Sequence, residues 1–466
     1  MTQRTTETEA HGHIPFASSC AYPVRTGNRV QPLVDGEPAF RRICQAIENA
    51  QHSVWGTVAF MDPQFRMPDG RGDLFQVLAR AAERGLDVRV IFWRMDEIPG
   101  FDSTSVFAGT AAHRTLLDER GGKLRVRWDR ARELFCQHQK SWLIDAAQDS
   151  EVAFVGGINL NAKAVVSPGH TGGDEGHIHD VYLELQGPSA SDVHHNFVQR
   201  WNEASERGRD DGCWPDAALA CDLPFPTRAS AAAGDVLAQV QRTVRAGMYS
   251  DGTAAPGAAA FPIAQGELSI FEQYGKAIAA ARSYVYLENQ AFAQPETVEA
   301  VHDALARGVD VTVLVPADAH PFFKARRKQP DSQPFMQRLG ALGDHEHFSL
   351  VGIAAPDPAG NLRNIYVHAK VALVDDAWAT IGSCNVAPRS FFGDAELNVS
   401  FWSPDAVRAF RVALLREHLD LDTAGLDPRA AFARYRAIAR DNAARRTRGE
   451  ALHGLAFAID PRTYGE

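Results

Sequence analysis

The sequence predicts an α/β protein of two similar fused lobes. Each lobe is a mixed β-sheet flanked by helices, and a pseudo-two-fold relation gives the pair one shared site. Three observations carry this prediction. Apolar strand patterns alternate with amphipathic helix patterns, as in layered α/β domains. The same order of elements occurs twice along the chain, and so does a polar pattern of eight residues, H-x-K-x4-D, at residues 138–145 and 368–375.

The first copy of the repeat begins with a helix pattern near residues 39–50 and continues into the strand Ser53–Val58. A second helix is predicted over residues 73–84, because Gly85 supplies a glycine at the C-terminal end. Strands at residues 88–93 and 124–128 then lead into the first polar pattern.

The second copy repeats this order. A helix pattern over residues 274–281 precedes a strand at 284–287. The next helix, residues 298–307, ends at Gly308 as its counterpart ends at Gly85, and a strand follows at 311–315. We therefore divide the chain into four parts: a flexible arm (1–30), an N-terminal lobe (31–207), a linker (208–234) and a C-terminal lobe (235–466).

Composition restricts the functional classes. The formal net charge of −10 argues against a general nucleic-acid binder and against an anchor that relies on positive charge. The six cysteines lack metal-ligand spacing, so we expect reduced thiols in a cytosolic chain. No segment resembles a signal peptide or a membrane span. We expect a cytoplasmic monomer that touches membranes only peripherally.

Within each polar pattern, spacing separates two roles. Residues two apart on a strand face the same side, so the histidine and lysine of each pattern project together. These pairs are His138 with Lys140 and His368 with Lys370. Asp145 and Asp375 lie an odd number of residues from their histidines. We expect both aspartates to be structural, holding the turn or a cation elsewhere.

A second strand must return to each pair. Residues 152–155 and 378–381 fit this role and deliver Asn159 and Asn385 beside the histidine–lysine face. Ser383 lies two residues before Asn385, so it either points inward or caps a following helix.

Each histidine also needs a hydrogen-bond acceptor to orient its ring. Asp180 and Glu396 are favoured because each directly precedes an apolar strand. Glu175 and Asp394 are nearby alternatives.

Two histidines, two lysines and two asparagines suit a phosphodiester. One neutral imidazole would attack phosphorus and form a phosphohistidine. The other would protonate the leaving oxygen and then deprotonate the incoming water or alcohol. Lysine and asparagine side chains would stabilise the charge on phosphorus, so we expect no metal and no cofactor.

These residues resemble the phospholipase D superfamily, whose pattern is H-x-K-x4-D-x6-G-S-x-N in each of two lobes. The second copy matches this pattern throughout. In the first copy ten residues separate Asp145 from Gly156, and Gly157 stands in the serine position. The segment at residues 286–292 is similar to Y-I-E-N-Q-Y-F of phospholipase D proper.

The resemblance implies a phospholipase D-type phosphodiesterase that hydrolyses glycerophospholipids to phosphatidic acid and a headgroup alcohol, or transfers the phosphatidyl group to an alcohol. It implies His138 as nucleophile and His368 as acid and base, an order that the residues alone do not determine. The alternatives are a cardiolipin or phosphatidylserine synthase-type phosphatidyltransferase and, less favoured, a nuclease. A non-catalytic lipid-binding protein is disfavoured because both patterns keep their histidine and lysine.

Three further segments have two interpretations each. Glu288, Asn289 and Gln290 bind substrate or satisfy buried polar groups at a sheet edge. A glycine-rich loop with several histidines and acids resembles a metal site in composition, but its spacing matches no metal motif, so we predict solvated histidines and no metal. The aromatic and basic segment at residues 322–328 contacts a lipid surface or begins a solvated helix.

Overall fold

The computed structural model describes residues 13–62, 64–95, 107–132, 134–171, 176–210, 212 and 222–466. Over these residues the chain forms two similar α/β halves, which confirms the predicted fold class. The described elements of the first half are β1 (Arg25–Val34), α1 (Gly36–Asn49), β2 (Ser53–Val58), α2 (Leu74–Glu83), β3 (Asp87–Trp93), α3 (Ala111–Arg120), β4 (Arg125–Asp129), β5 (Ser141–Ile144), β6 (Val152–Gly156), β7 (Ile178–His179), β8 (Val181–Gln186) and α4 (Ala190–Asn202).

The second half continues with the same alternation of strands and helices. Its described elements are β9 (Val236–Val244), β10 (Glu267–Leu268), α5 (Ser269–Ala280), β11 (Tyr284–Asn289), α6 (Pro295–Ala306), β12 (Asp310–Leu314), α7 (Pro321–Arg327), α8 (Gln333–Ala341), β13 (Phe348–Pro356), β14 (Leu362–Val367), β15 (Lys370–Val374), β16 (Trp378–Gly382), α9 (Pro388–Phe392), β17 (Glu396–Trp402), α10 (Pro404–Leu419), α11 (Pro428–Thr447) and β18 (Ala456–Ile459).

The strand order shows the duplication. In the first half it is β4-β3-β2-β5-β6-β8-β1, and in the second β13-β12-β11-β15-β16-β17-β9. In both halves the first three strands of this order are parallel and the remaining pairs are antiparallel. β1 and β9 pair with each other and join the two sheets into one. A duplicated sequence has thus produced a duplicated topology.

Local signals place the helix ends where the sequence predicts them. Asp73 caps α2 by accepting from the backbone N–H of Gln76, whose side chain in turn accepts from the Asp73 N–H. The chain leaves the same helix through Gly85 at φ +87°, a conformation that favours glycine.

Most of the apolar core belongs to three large clusters of buried residues. One cluster lies between the halves and combines strand residues such as Leu183 and Val399 with residues of α4, α10 and α11. Two further clusters lie under the outer helices, one formed by α1 and α2 in the first half and one by α5, α6 and α8 in the second. The strands near the two polar patterns are therefore buried on both faces.

The predicted flexible arm, residues 1–30, requires correction over its described part. Residues 25–30 lie within β1, which pairs with both halves. Before β1, Ile14 is only 2% exposed and its carbonyl accepts from Trp402 Nε1, against which the Phe16 ring packs edge-on. Apolar residues at positions 14 and 16 thus find a groove on the second half. Residues 1–12 lie outside the described residues.

The predicted linker, 208–234, is described only in part. Residues 222–234 form no helix or strand, and Leu223 is tied to Asn202 by a pair of hydrogen bonds. The boundaries of the four parts remain predictions. Cys20, Cys44, Cys136 and Cys384 are free thiols, and Cys213 and Cys221 fall outside the described residues. No described helix combines the length and apolarity needed to span a bilayer.

Asp145 and Asp375 occupy equivalent positions in the two halves. Asp145 accepts from the backbone N–H groups of residues 51–53, where α1 passes into β2. Asp375 accepts from the N–H groups of residues 282–284, between α5 and β11. Each carboxylate ties the end of the motif strand to the start of the neighbouring strand, with which that strand pairs antiparallel.

We predict that Asp145→Ala and Asp375→Ala each reduce the free energy of unfolding by about 2 kcal/mol, because three backbone donors lose a charged acceptor. Denaturation followed by tryptophan fluorescence measures the change. Asp149→Ala is the matched control, since Asp149 lies in the same hairpin loop but has a side chain 76% exposed. Equal effects of all three variants would contradict the structural role.

Candidate active site

His138 lies just before β5 and is 7% exposed. Its Nδ1 lies 2.9 and 3.0 Å from the two carboxylate oxygens of Glu396, which begins β17 in the other half. Burial lowers the pKa of His138 well below its usual range, and the charge of Lys140 adds to this effect. Burial also raises the pKa of Glu396 to about 7. The imidazole is therefore held neutral with Nε2 directed away from the carboxylate.

His368 lies just before β15 and repeats this arrangement with the halves exchanged. Its Nδ1 is 2.6 Å from Asp180 Oδ2, which precedes β8 in the first half. Burial lowers the pKa of His368 to about 3, again with a contribution from its neighbouring lysine, Lys370. Burial disfavours the ionised form of Asp180, but His368 outweighs it and the pKa of Asp180 lies below its ordinary value.

Each histidine therefore takes its carboxylate partner from the opposite half. Glu396 and Asp180, the favoured orienting acceptors, are the ones that contact the histidines. Of the alternatives, Asp394 instead accepts from the backbone N–H of Cys136 and pairs with Arg389, and Glu175 lies outside the described residues. Neither motif histidine therefore finds its carboxylate partner within its own half.

The missing serine of the first pattern has a steric explanation. In the second half Ser383 is fully buried and donates from Oγ to Glu396, and it also accepts from the Leu397 N–H. In the first half a Cβ at Gly157 would lie 2.2 Å from Asp180 Oδ1. The shorter aspartate sits against the backbone at Gly157, so this position has no room for a serine.

The two lysines point into the same buried centre. Lys140 Nζ donates to the carbonyl of His138 at 2.7 Å, and Lys370 Nζ donates to the carbonyl of His368 and to Gln290 Oε1. Burial lowers the pKa of Lys140 and brings that of Lys370 to about 7. Lys370 also contributes to the lowered pKa of His138, as Lys140 does to that of His368. The two patterns thus share one electrostatic environment.

Asn159 and Asn385 follow β6 and β16, as predicted. Their side-chain amide oxygens are buried, and neither accepts a hydrogen bond within the described part of the chain. Buried polar atoms are nearly always satisfied, so these two amides are suited to receive a ligand. Amide nitrogen and oxygen exchange by rotation, which lets either group present donors to an anion.

The predicted substrate-binding segment divides into two interior residues and one at the site. Glu288 is fully buried and accepts from Tyr286 OH and His179 Nε2. Asn289 accepts from the backbone N–H groups of Ala291 and Val386 and so fixes the turn after Asn385. For these two residues the structure favours the second interpretation, the satisfaction of buried polar groups. Gln290 does lie beside the site, because its Oε1 accepts a hydrogen bond from Lys370 Nζ.

Two residues at the site lie outside the H-x-K-x4-D patterns and are not among the residues predicted from the sequence. Phe60, which follows β2, packs edge-on against His138 at 6.1 Å, and Lys140 Nζ lies 5.8 Å from the centre of its ring. Tyr366 OH accepts from Gln290 at the border of a polar groove that includes Lys163, Asp318 and Arg446. Both residues lie on chain segments next to the motif strands. From the sequence, that proximity is the only indication that they could lie at the site.

A second cluster of titratable groups corrects the expectation of solvated loop histidines. His170 and His179 are buried together with Asp35 from the start of α1 and Glu417 from α10. His179 Nδ1 lies 2.9 Å from Asp35 Oδ1, and His170 Nε2 lies 3.3 Å from Asp35 Oδ2. The four potential ligand atoms all lie within 4.8 Å of one another.

These four side chains could hold a divalent cation, although the spacing argument predicted none. Asp35 Oδ2, both ring nitrogens of His170 and Glu417 Oε2 make no hydrogen bond among the described residues. Two imidazoles with two carboxylates are the donor set of Zn²⁺ and related transition metals, whereas Ca²⁺ prefers oxygen ligands throughout. The cluster adjoins the site through His179, which directly precedes Asp180.

Comparison with known families agrees with this geometry. A profile described as "Cardiolipin synthase, PLD-like domain" matches residues 43–201 and 274–417, one segment in each half. A second profile, "Phospholipase D", matches residues 162–296. The chain belongs to the phospholipase D superfamily of phosphodiesterases and phospholipid-modifying enzymes.

Individual relatives are distant. The chain is 24% identical over 499 residues to Phospholipase D A of Dictyostelium discoideum, covering 86% of this chain and 36% of that protein. It is 25% identical over 556 residues to Phospholipase D alpha 1 of Arabidopsis thaliana, covering 89% of this chain and 67% of that protein. It thus spans only part of these relatives. The crystal structure of phosphatidylserine synthase from Haemophilus influenzae has the same fold, with a TM-score of 0.58, 14% identity, and coverage of 96% of this chain and 99% of that one.

We predict that the His170–His179 cluster binds about one equivalent of Zn²⁺ or a similar ion. Added Zn²⁺ should raise the melting temperature, and His170→Ala should abolish this rise, because a ligand that binds only the folded state stabilises it. Metal content after dialysis and thermal melting measure the two effects. His302→Ala is the control, since His302 pairs with His345 elsewhere. Unchanged metal content in His170→Ala would contradict the prediction.

Proposed function

We propose that the chain is a phospholipase D-type phosphodiesterase that hydrolyses glycerophospholipids to phosphatidic acid and a headgroup alcohol. The crossed pairing of His138 with Glu396 and His368 with Asp180, in one buried centre, is the observation that carries this proposal. Two oriented neutral imidazoles, two lysines and two unengaged asparagine amides match the requirements of phosphodiester transfer. The names of the family profiles and relatives support a phospholipid as the substrate.

In the first step, Nε2 of one histidine would attack phosphorus and form an N–P bond while the P–O bond to the headgroup breaks. The second histidine, which takes up a proton on Nε2 when the anionic phosphodiester binds beside it, would give that proton to the departing headgroup oxygen while its Nδ1–H stays bonded to the carboxylate. In the second step, that histidine would remove a proton from water, whose oxygen attacks phosphorus and breaks the N–P bond. Phosphatidic acid is released, and both histidines return to their starting protonation state.

The partners of the two histidines favour His138 as the nucleophile. Glu396, with a pKa near 7, is a weak stabiliser of an imidazolium, which keeps His138 neutral as a nucleophile requires. His368 forms the shorter bond, 2.6 Å, to Asp180, whose pKa lies below its ordinary value, so an ionised carboxylate stabilises this ring when it gains a proton. This order agrees with the one that the family resemblance implies.

A phosphatidyltransferase of the cardiolipin or phosphatidylserine synthase type is the second candidate. The same residues would serve, with an alcohol in place of water in the second step. The polar groove beside Tyr366, which carries Lys163, Asp318 and Arg446, favours this candidate because it could receive a polar acceptor next to Gln290. A nuclease is less favoured because of the net charge of −10. The cytoplasmic location and the monomeric state remain predictions.

Product analysis tests the proposal. With phosphatidylcholine vesicles we expect phosphatidic acid and choline, and transfer products when glycerol, serine or phosphatidylglycerol is added. His138→Ala and His368→Ala should each lower turnover by at least about 10³-fold, because each removes a group that acts on the reacting atoms. After a denaturing quench at alkaline pH, where the P–N bond survives, phosphohistidine should accumulate in His368→Ala and be absent in His138→Ala. The matched control is His302→Ala, and wild-type turnover in either catalytic variant would overturn the mechanism.

A transferase would give a different product distribution. If products appear only with an added alcohol and hydrolysis stays negligible, the phosphatidyltransferase is the correct assignment. Cleavage of nucleic acid without lipid turnover would instead support the nuclease.

We predict that kcat/KM falls on both sides of pH 7. Below about pH 7 Glu396 becomes protonated and can donate to Nδ1 of His138, which leaves the proton on Nε2 and blocks attack. Above about pH 7 Lys370 loses its proton and with it the charge that stabilises phosphorus. Glu396→Gln should flatten the acid limb at reduced rate, and Lys370→Arg the alkaline limb. Stopped assays from pH 5 to 9 measure both, and unchanged limbs in these variants would contradict the assignment.

A further inference from the structure

Most large apolar side chains of the described chain are buried, but a few are well exposed. Leu134 is 64% exposed, and Leu268 and Phe392 are each 40% exposed. These three are far apart in sequence, but Arg389 donates to the Leu134 carbonyl and Phe392 packs against Phe271, three residues after Leu268. The fourth exposed residue, Phe322, stacks on His320 at the start of α7 and is not included in this group.

The contacts run from the loop before β5 to the start of α5. Phe135, next to Leu134, lies so close to Gly393 that a Cβ there would be 2.0 Å from its ring. Phe392, next to Gly393, packs edge-on against Phe271 at 4.9 Å. Phe271 lies in the first turn of α5, three residues after Leu268. The exposed residues Leu134 and Phe392 are thus brought together across the two halves, and the start of α5 lies beside them.

Arginines accompany these apolar residues. Arg245 and Arg389 lie 5.2 and 5.9 Å from the centre of the Phe135 ring, and Arg132 is exposed in the same loop. Arg245 is partly buried, and its Nη1, which is shielded from solvent, makes no hydrogen bond within the described residues. Asp394, the partner of Arg389, is almost fully buried. We call this surface the docking patch: Leu134, Phe135, Leu268, Phe271 and Phe392 with Arg132, Arg245 and Arg389.

The docking patch continues directly into the site. The backbone N–H of His138 donates to the carbonyl of Ala395, and the Cys136 N–H donates to Asp394 Oδ1. Leu134 precedes His138 by four residues, and Phe392 precedes its partner Glu396 by four. A surface bound at the docking patch would thus lie against the two segments that carry one histidine–carboxylate pair.

We propose that the docking patch binds the surface of a phospholipid bilayer that contains anionic headgroups. Exposed leucine and phenylalanine side chains insert at the boundary between headgroups and acyl chains, and arginines pair with lipid phosphates. The positive charge is local, since the chain as a whole carries −10. A second copy of the chain fits less well, because a two-fold contact would place the same arginines against one another. The proposal rests on the proposed function only in so far as that function supplies a lipid substrate.

The test uses the full chain and two independent measurements. First, sedimentation of His138→Ala with vesicles of phosphatidylcholine alone or mixed with phosphatidylglycerol measures binding without turnover. We expect binding to the mixed vesicles, weakened about tenfold by Leu134→Ser with Phe392→Ser, because each loses partial burial of an apolar side chain. Arg132→Gln with Arg245→Gln should weaken binding in a salt-dependent way. Arg228→Gln, an exposed arginine paired with Asp149, is the charge control.

Second, the ratio of turnover on vesicles to turnover on monomeric dihexanoylphosphatidylcholine should fall about tenfold in the Leu134/Phe392 variant on the active background. A melting temperature equal to that of the wild type excludes misfolding of the variant. If the double variant melts at a lower temperature, the two single substitutions are tested in its place. Binding that is indifferent to these substitutions, or equal on neutral and anionic vesicles, overturns the proposal. Loss of self-association in place of vesicle binding overturns it in favour of a second copy. If the chain binds vesicles through the docking patch but does not turn over lipid, the proposed function is refuted and the docking proposal stands.

Discussion

The rest of the structure depends on two histidine–carboxylate hydrogen bonds that cross between the halves. His138 reaches Glu396 and His368 reaches Asp180, and all four side chains are buried. A buried carboxylate without its partner is costly, so the halves must be held in the relative position that keeps both hydrogen bonds. The β1–β9 ladder and the apolar cluster between the halves supply that constraint. The duplicated fold is therefore a means of bringing two unlike pairs into one centre.

Burial at this centre acts in two directions. It lowers the pKa of both histidines and of Lys370, and it raises that of Glu396. A histidine must be neutral to attack phosphorus, whereas a lysine must keep its proton to stabilise the developing charge. A bound phosphodiester, itself an anion, would favour the charged form of Lys370 and thus offset the effect of burial. Under the proposed function, the site would therefore reach its full charge only with substrate bound.

Much of the fold follows from the sequence because its signals are local. Helix spacing, a glycine after α2 and apolar strands specify elements within a few residues, and repetition of these signals specifies two equivalent halves. The spacing of two also places His138 with Lys140 without knowledge of the third dimension. Asp180 and Glu396 are recognisable for the same reason, since each precedes an apolar strand.

The crossing of the pairs could not be predicted in this way, because it depends on which sheet edges meet over more than 180 residues of chain. The choice between the two interpretations of Glu288, and the burial of His179, could not be predicted for a related reason. Glu288 lies near the end of β11 and His179 ends β7, but their carboxylate and imidazole face each other inside the protein. Sequence period tells which side chains share a face and does not tell whether that face meets solvent, substrate or another buried charge.

The two halves differ at the positions that surround the histidines, and these differences bear on the proposed chemistry. By the sequence pattern alone, Gly157 looks like a serine position that has lost its side chain. In the structure, however, the Asp180 carboxylate occupies the space that a side chain at this position would need. Ser383 in turn belongs with the longer Glu396, which it helps to hold. Each half has thus adjusted two positions together, the carboxylate and the residue beneath it, and the two histidines experience different partners as a result. A strictly symmetrical centre would give both imidazoles the same basicity, whereas a two-step transfer requires one to attack and the other to carry the proton.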